Sequence, residues 1–223
     1  MTSKRRIITV DGVGASGKSA LARLLAERLG CAHLNSGLLY RAAGFLVEQE
    51  KVASNDAIVV GALLKRHTIE LKYDRATGNQ VSIDGVLRDG DIQTQEVAKL
   101  ASQVAKLATV RDHFIAVQRR AFEPAGVVAE GRDMGTVIFP EAAPKFFITA
   151  DLTIRAERRC AQLAGKGESS DVEVIKQQLA ARDYEDANRE LAPMKPADGA
   201  VLIDNSRGTL EEIVEKMYRE VVK

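Results

Sequence analysis

The stretch Ile7-Ile8-Thr9-Val10-Asp11-Gly12-Val13-Gly14-Ala15-Ser16-Gly17-Lys18-Ser19 decides how the rest of the chain is read. Ile7 to Val10 are all β-branched and suit a short buried strand. Beyond the glycines, Leu21, Leu24, Leu25 and Leu29 recur three and four apart, which is one apolar face of a helix over 18–29, and Gly30 can close it. Between strand and helix, Gly12 to Ser19 match G-x-x-x-x-G-K-[ST] in full. Small residues let the backbone curl until several N–H groups point into one concavity, and the helix N-terminus adds positive potential. Gly12, Val13, Gly14, Ala15, Ser16, Gly17, Lys18, Ser19 and Ala20 are therefore the candidate binding residues for a nucleoside triphosphate. Lys18 would place its charge on the outer phosphates, and Ser19 would offer a hydroxyl to Mg²⁺. A glycine-rich turn with a surface lysine is the plainer reading, and the strand-to-helix setting argues against it. The loop names a ligand class, not a reaction. A GTPase would need a guanine-selecting Asn-Lys-x-Asp, which the chain lacks.

Working outward, 223 residues with 45% apolar content suit one compact α/β domain spanning 1–223. A net charge of +1 gives no global reason to expect nucleic acid or a membrane as partner, so any anion site must be local. Arginines outnumber lysines by about three to two, and a guanidinium matches phosphate oxygens two at a time. Cys31 and Cys160 stand far apart in no metal-ligand spacing and read as reduced thiols. The basic start, Met1 to Arg6, lacks the apolar run of a signal peptide, and no apolar segment is long enough to cross a bilayer. A cytoplasmic protein is expected.

Helical patterns follow at 36–50 and 55–65, and then the character changes. Residues 68–73 and 80–83 are strand-like around the turn Thr77-Gly78-Asn79, and Asp84-Gly85 makes a second turn. Residues 67–92 are thus expected to be a small inserted antiparallel lobe. Helical patterns return at 94–108 and 110–122. Val127-Val128-Ala129, Phe146-Phe147-Ile148 and Val201-Leu202-Ile203 suit buried parallel strands. Residues 155–163 are helical and end at Gly165-Lys166-Gly167, Ser170 with Glu173 reads as a capping box for a helix to about 189, and a last helix spans 210–222. Alternating strands and helices predict an α/β fold, a parallel sheet flanked by helices with the antiparallel lobe inserted.

Three further groups could bind anions. Ser36-Gly37-Leu38-Leu39-Tyr40-Arg41 opens a helix with a hydroxyl, a phenol and a guanidinium, although a simple serine cap reads equally well. Glu130-Gly131-Arg132-Asp133 follows a buried strand at its carboxyl end, where open α/β sheets bind ligands. Arg155, Arg158 and Arg159 share one helix face, and Arg182, Asp186 and Arg189 share another. Taken singly these are solvated faces. With the glycine pair between them they suggest a helical lid over about 155–170 that carries positive charge to a transferring phosphate.

Over almost its whole length the chain resembles bacterial cytidylate kinase, a nucleoside monophosphate kinase family with the phosphate-loop NTPase fold. The carriers are the phosphate loop, Ser36-Gly37-x-x-Tyr40-Arg41, Thr94-Gln95-Glu96-Val97, Ala101-Ser102-Gln103-Val104, Val110-Arg111, the run Glu130 to Thr136, and Arg182-Asp183 leading to Asp186 and Asn188-Arg189. By similarity, Ser36, Tyr40, Arg41 and Arg132 would hold the acceptor phosphate. Ser102, Arg111 and Asp133 are similar to the family's cytosine contacts, and a carboxylate suits the N4 amino donor that uracil lacks. Asp186 looks like the ribose contact, with Arg182 and Arg189 near the acceptor phosphate and Arg158 or Arg159 as the lid arginine. The catalytic set implied is Lys18, Arg132, Arg158 and Arg159. Asn35, Ala20 and Gln93 depart from the usual Asp, hydroxyl residue and Arg. The resemblance implies ATP with Mg²⁺ as donor, CMP and dCMP as acceptors, and a monomer. The rivals are a phosphate-loop kinase for UMP, AMP or shikimate, and a nucleotide-binding module with weak turnover.

Overall fold

In the computed structural model, residues 6–120, 126–165 and 167–223 are described. Expectations that fall on Met1 to Arg5, on the helix end at Phe122 and on Lys166 lie outside them. The chain divides into two units, Met1–Cys31 with Val128–Lys223, and Ala32–Val127.

The first unit is built around β1 (Ile7–Gly12), whose inward side chains Ile8 and Val10 are fully buried. The following α1 (Lys18–Leu29) buries Leu21, Ala22, Leu25 and Ala26 along one stripe. It stops at Gly30, whose left-handed backbone lets its N–H reach back to Ala26 and Glu27. The unit contains most of β6 (Val127–Gly131), together with β7 (Lys145–Thr149), α6 (Leu152–Ala164), α7 (Val172–Asn188), β8 (Val201–Asp204) and α8 (Leu210–Val222). Strand β1 pairs in parallel with β7, Val10 beside Phe146 and Gly12 beside Ile148, and β7 pairs in parallel with β8. The core is the resulting sandwich, in which Ile8, Val10, Val128, Phe146, Ile148 and Ile203 meet Leu21 and Leu25 of α1 and Val214 and Met217 of α8. Helices α6 and α7 have their own small core of Ala156, Leu163 and Ile175.

In the second unit β2 (Ala32–Asn35) leads into α2 (Gly37–Glu50) and α3 (Ala57–Arg66). Then comes an antiparallel sheet of β3 (Ile69–Asp74), β4 (Gly78–Ile83) and β5 (Val86–Leu87), followed by α4 (Gln95–Val104) and α5 (Ala108–Arg120). The parallel sheet has five strands in the order β2-β6-β1-β7-β8, and the small sheet runs β3-β4-β5. The expected α/β class and the three-stranded antiparallel sheet are both present.

Four local details differ from the sequence reading. Strand β2 was not anticipated, because His33 and Asn35 interrupt a four-residue run. The helix expected over 94–108 ends at Val104, and a new one starts at Ala108. Asp171, not Ser170, caps α7, its carboxylate accepting the amides of Glu173 and Val174 at 2.8 and 3.1 Å. A capping box does occur, but on α8, between Thr209 and Glu212. Beyond β6 the chain makes an unanticipated wide helical turn at Met134–Ile138, closed by bonds five residues long such as Phe139 N–H to Met134 C=O at 2.7 Å.

Candidate active site

The loop between β1 and α1 is held open by backbone that side chains would block. Gly12 has φ 148°, and a Cβ there would lie 2.0 Å from the carbonyl oxygen of Ile148. Gly17 has φ 85°, and its Cβ would lie 2.6 Å from the Asn205 side-chain nitrogen, which itself donates to Ser16 C=O at 2.7 Å. Ala15 takes a left-handed conformation at φ 56°, which costs an L-residue about 1–2 kcal/mol and needs support from its surroundings. That support includes the Ser16 hydroxyl, which donates to Val13 C=O at 3.0 Å, and the Lys18 ammonium, which donates to the same oxygen at 3.1 Å.

Lys18 is only 8% exposed. Burial pushes its pKa from an ordinary 10.5 down to about 7, Arg132 and Arg182 push the same way, and Glu130 and Asp186 oppose them. The unfolded chain therefore binds more protons between about 7 and 10.5, and Lys18 makes the unliganded fold more stable as pH rises through that window. A triphosphate on the loop supplies the missing negative charge and restores the ammonium. Binding a non-hydrolysable ATP analogue at pH 8 is thus expected to take up about 0.5–0.9 proton, read by calorimetry in buffers of differing ionisation enthalpy. No uptake would contradict the protonation change assigned to Lys18.

At the end of β6 three residues face different tasks. Glu130, 2% exposed, accepts the Ser19 hydroxyl at 2.7 Å. Arg132 donates through Nε to Asp186 Oδ2 at 3.0 Å and through Nη1 to Gly131 C=O at 3.3 Å. Asp133, also 2% exposed, lies 3.6 Å from Arg189 Nη2, while Arg189 Nη1 lies 3.9 Å from Asp186 Oδ1. Asp11 anchors the wide turn that follows, its two oxygens accepting the amides of Met134 and Gly135 at 2.8 Å each. Burial pushes Asp11 up to about 6 against the lowering effect of those two donors.

Helix α7 brings Arg182, Asp183, Asp186 and the adjoining Arg189 to this end of the sheet. Burial pushes Asp186 up, but Arg132, Arg182 and Arg189 outweigh it and hold the carboxyl below its usual range. Burial and then Arg132 lower the Arg182 guanidinium, and its Nε is buried with no hydrogen-bond acceptor among the described residues. On α6, Arg158 Nη2 donates to Asn205 C=O at 2.8 Å, and its Nη1 is likewise buried without an acceptor among the described residues. Arg159, half-buried, reaches Gln162 at 3.5 Å. Buried guanidinium nitrogens without acceptors are costly, and a phosphate or ribose oxygen would satisfy them. Arg155, read from the sequence as sharing a face with these two, is instead 6% exposed and bonds to the backbone and to Asp183.

The remaining candidates belong to the second unit. Ser36 is 3% exposed and starts α2, but its hydroxyl does not cap the helix. The cap comes from Asn35, whose side-chain oxygen accepts the Gly37 amide at 3.1 Å. The Arg41 guanidinium donates to Ile92 C=O at 2.8 Å and lies 3.4 Å from Thr94 C=O. Arg111, 6% exposed, donates to Ala105 C=O at 3.3 Å and stands 5.9 Å from the ring centre of Tyr40, which itself packs edge-on to Phe114. Ser102 is half-buried on α4. The structure thus gathers Lys18, Ser19, Arg132, Asp133, Arg182, Asp186 and Arg189 in the first unit, and Tyr40 with Arg111 in the second. Sequence reasoning gave no separate role to Asp11, Glu130 or Asp183. For Asp11 and Glu130 the available signal was a carboxylate inside an apolar strand, which must find donors when buried.

A solved structure of an uncharacterized protein from Eubacterium ventriosum has a TM-score of 0.50 against this chain, covers 98% of it and 99% of itself, and is 12% identical; that likeness concerns the fold alone. Sequence relatives are much nearer. A cytidylate kinase of Marinomonas sp. is 36% identical over 223 residues, covering 100% of this chain and 98% of the relative. A cytidylate kinase of Thermotoga neapolitana is 40% identical over 215 residues, covering 96% of each. The cytidylate kinase family model matches residues 8–223, taking in the loop, the Glu130–Asp133 run and both arginine-bearing helices. With the phosphate loop, the parallel sheet and the buried arginine cluster in place, this chain belongs to the cytidylate kinase family.

Proposed function

We propose that the chain transfers the terminal phosphoryl group of ATP to the 5′-phosphate of CMP and dCMP, releasing ADP. The observation that carries the reading is the electrostatic company of Lys18, a buried loop lysine whose charge Arg132 and Arg182 disfavour and Glu130 and Asp186 favour. A lysine buried beside two guanidinium groups is repelled by them, and that repulsion is relieved when phosphates enter between the charges. Membership of the cytidylate kinase family supports CMP as the acceptor, over UMP, AMP or shikimate.

The acceptor phosphate, with a second pKa of about 6, is ionised near neutral pH and needs no general base. Catalysis is then positioning and neutralisation of charge, supplied by Lys18 on the donor and Arg132, Arg182 and Arg189 around the acceptor phosphate. Asp133 selects cytosine by accepting its amino group, and Asp186 orients the ribose. Ser36, Tyr40, Arg41, Ser102 and Arg111 are proposed acceptor contacts on the family resemblance. Arg158 and Arg159 are the proposed lid arginines, and the buried Nη1 of Arg158 supports the first of them. The Ser19 hydroxyl and Glu130 carboxylate, 2.7 Å apart, form the hard oxygen pair that Mg²⁺ prefers, so these two residues would hold it. Bound there, the ion supplies charge neutralisation at the donor phosphates.

An ADP-release assay across CMP, dCMP, UMP, AMP and shikimate tests the assignment. CMP and dCMP are expected to exceed the others in kcat/KM by at least about tenfold, since Asp133 meets an acceptor in uracil where cytosine offers a donor. Equal rates across the panel would remove the cytosine argument.

A further inference from the structure

Both backbone polar groups of Gly14 are held by a single ion pair from the two helices beyond the sheet. The Gly14 amide donates to Asp183 Oδ1 of α7 at 3.2 Å. Arg155 of α6 donates through Nη1 to the Gly14 carbonyl at 3.1 Å and pairs with Asp183 Oδ2, while its Nε donates to Ala150 C=O at 2.9 Å. The pair is largely out of water, the side chains being 7% and 16% exposed. Leu179, one turn before Asp183 on α7, lies 3.5 Å from the point a Gly14 Cβ would occupy, so the helix is packed against the loop as well as bonded to it.

A carboxylate on a phosphate-loop amide could be a stand-in for phosphate that ligand displaces. The geometry argues otherwise. Displacing Asp183 would strand the buried Arg155 charge, and an uncompensated buried charge is strongly unfavourable. The contact also involves the Gly14 carbonyl, which no phosphate replaces. We propose that Arg155 and Asp183 are positioning residues that set the Gly14 backbone, and with it the curl of the loop that aims Lys18 at the triphosphate. Because Arg182 and Asp186 lie on the same helix as Asp183, the pair also ties the donor loop to groups assigned to the acceptor. The inference rests on the loop being a triphosphate site.

The test measures binding apart from turnover. Affinity for a non-hydrolysable ATP analogue with Mg²⁺ is determined by calorimetry for the native chain, Asp183→Asn, Asp183→Glu and Arg155→Lys, and kcat and KM for CMP are measured alongside. Removing a negative charge beside bound phosphate would, by electrostatics alone, tighten the analogue. Positioning requires the reverse, with affinity falling about tenfold in Asp183→Asn and Arg155→Lys, kcat falling at least as much, and the KM for CMP moving less than about threefold. Partial recovery in Asp183→Glu is expected. Unchanged or tighter analogue binding by either folded variant overturns the proposal. Should neither variant fold, a crystal structure of the native chain with the analogue decides: Asp183 should still accept the Gly14 amide, and a phosphate oxygen in the place of that carboxylate overturns the proposal. A native chain that binds the analogue but does not phosphorylate CMP would sink the acceptor assignment and leave this test readable.

Discussion

Replacing Lys18 by methionine is expected to lower kcat by about a thousandfold while the chain remains folded. The two expectations have separate causes. Lys18 is 8% exposed and is held down to a pKa of about 7, so the fold gains little from its charge. Methionine matches the length of the stem and removes a group that is costly to bury. Thermal stability should therefore hold or rise slightly, which melting followed by circular dichroism will show. Turnover should collapse because no other cation on the loop can follow charge onto the oxygen between donor and transferred phosphoryl group. A Lys18→Met variant that phosphorylates CMP at an undiminished rate would end the mechanism.

The second large effect is expected at Arg132. Its Nε–Asp186 bond at 3.0 Å and its influence on Lys18, Arg182 and Asp186 make it the common member of the charge network. Arg132→Met should lower kcat/KM for CMP by about a hundredfold to a thousandfold, most of it in kcat if Arg132 stabilises charge that develops during transfer. Stability should respond to pH as well. Asp186 is held below its ordinary 3.8, so its contribution is present above that pH and lost as pH falls through the lowered value. Without Arg132 the carboxyl rises, and the difference in stability between variant and native chain should shrink in acid. An Arg132→Met enzyme with unaltered kcat/KM would place the acceptor phosphate elsewhere.

The parts of the molecule legible in sequence were those set by local rules. The phosphate loop needs glycine at Gly12 and Gly17 because its own curl puts them at φ 148° and 85°, backbone that other residues rarely adopt. The leucine stripe of α1 and the paired turns of the small sheet are equally local. Illegible features depended on distant partners. Strand β2 looks weak by itself, with two polar residues in four, and exists because its apolar positions, Ala32 and Leu34, are buried. Helix spacing grouped Arg155 with Arg158 and Arg159, but could not say that Arg155 turns inward to meet a carboxylate 28 positions later. Asp171 and Ser170 are both good caps, and only the backbone at Asp171 determines which one meets the free amides. The Met134–Ile138 turn has no sequence signature; it follows from Asp11, 123 residues earlier, taking two successive amides.

The most direct measurement is a crystal structure of the chain with Mg²⁺, ADP and CMP. The account requires the CMP phosphate within hydrogen-bond distance of Arg132 and Arg189, its cytosine amino group on Asp133, and the ADP phosphates over Lys18. A CMP phosphate bound away from both arginines, or a base that leaves Asp133 untouched, would contradict it.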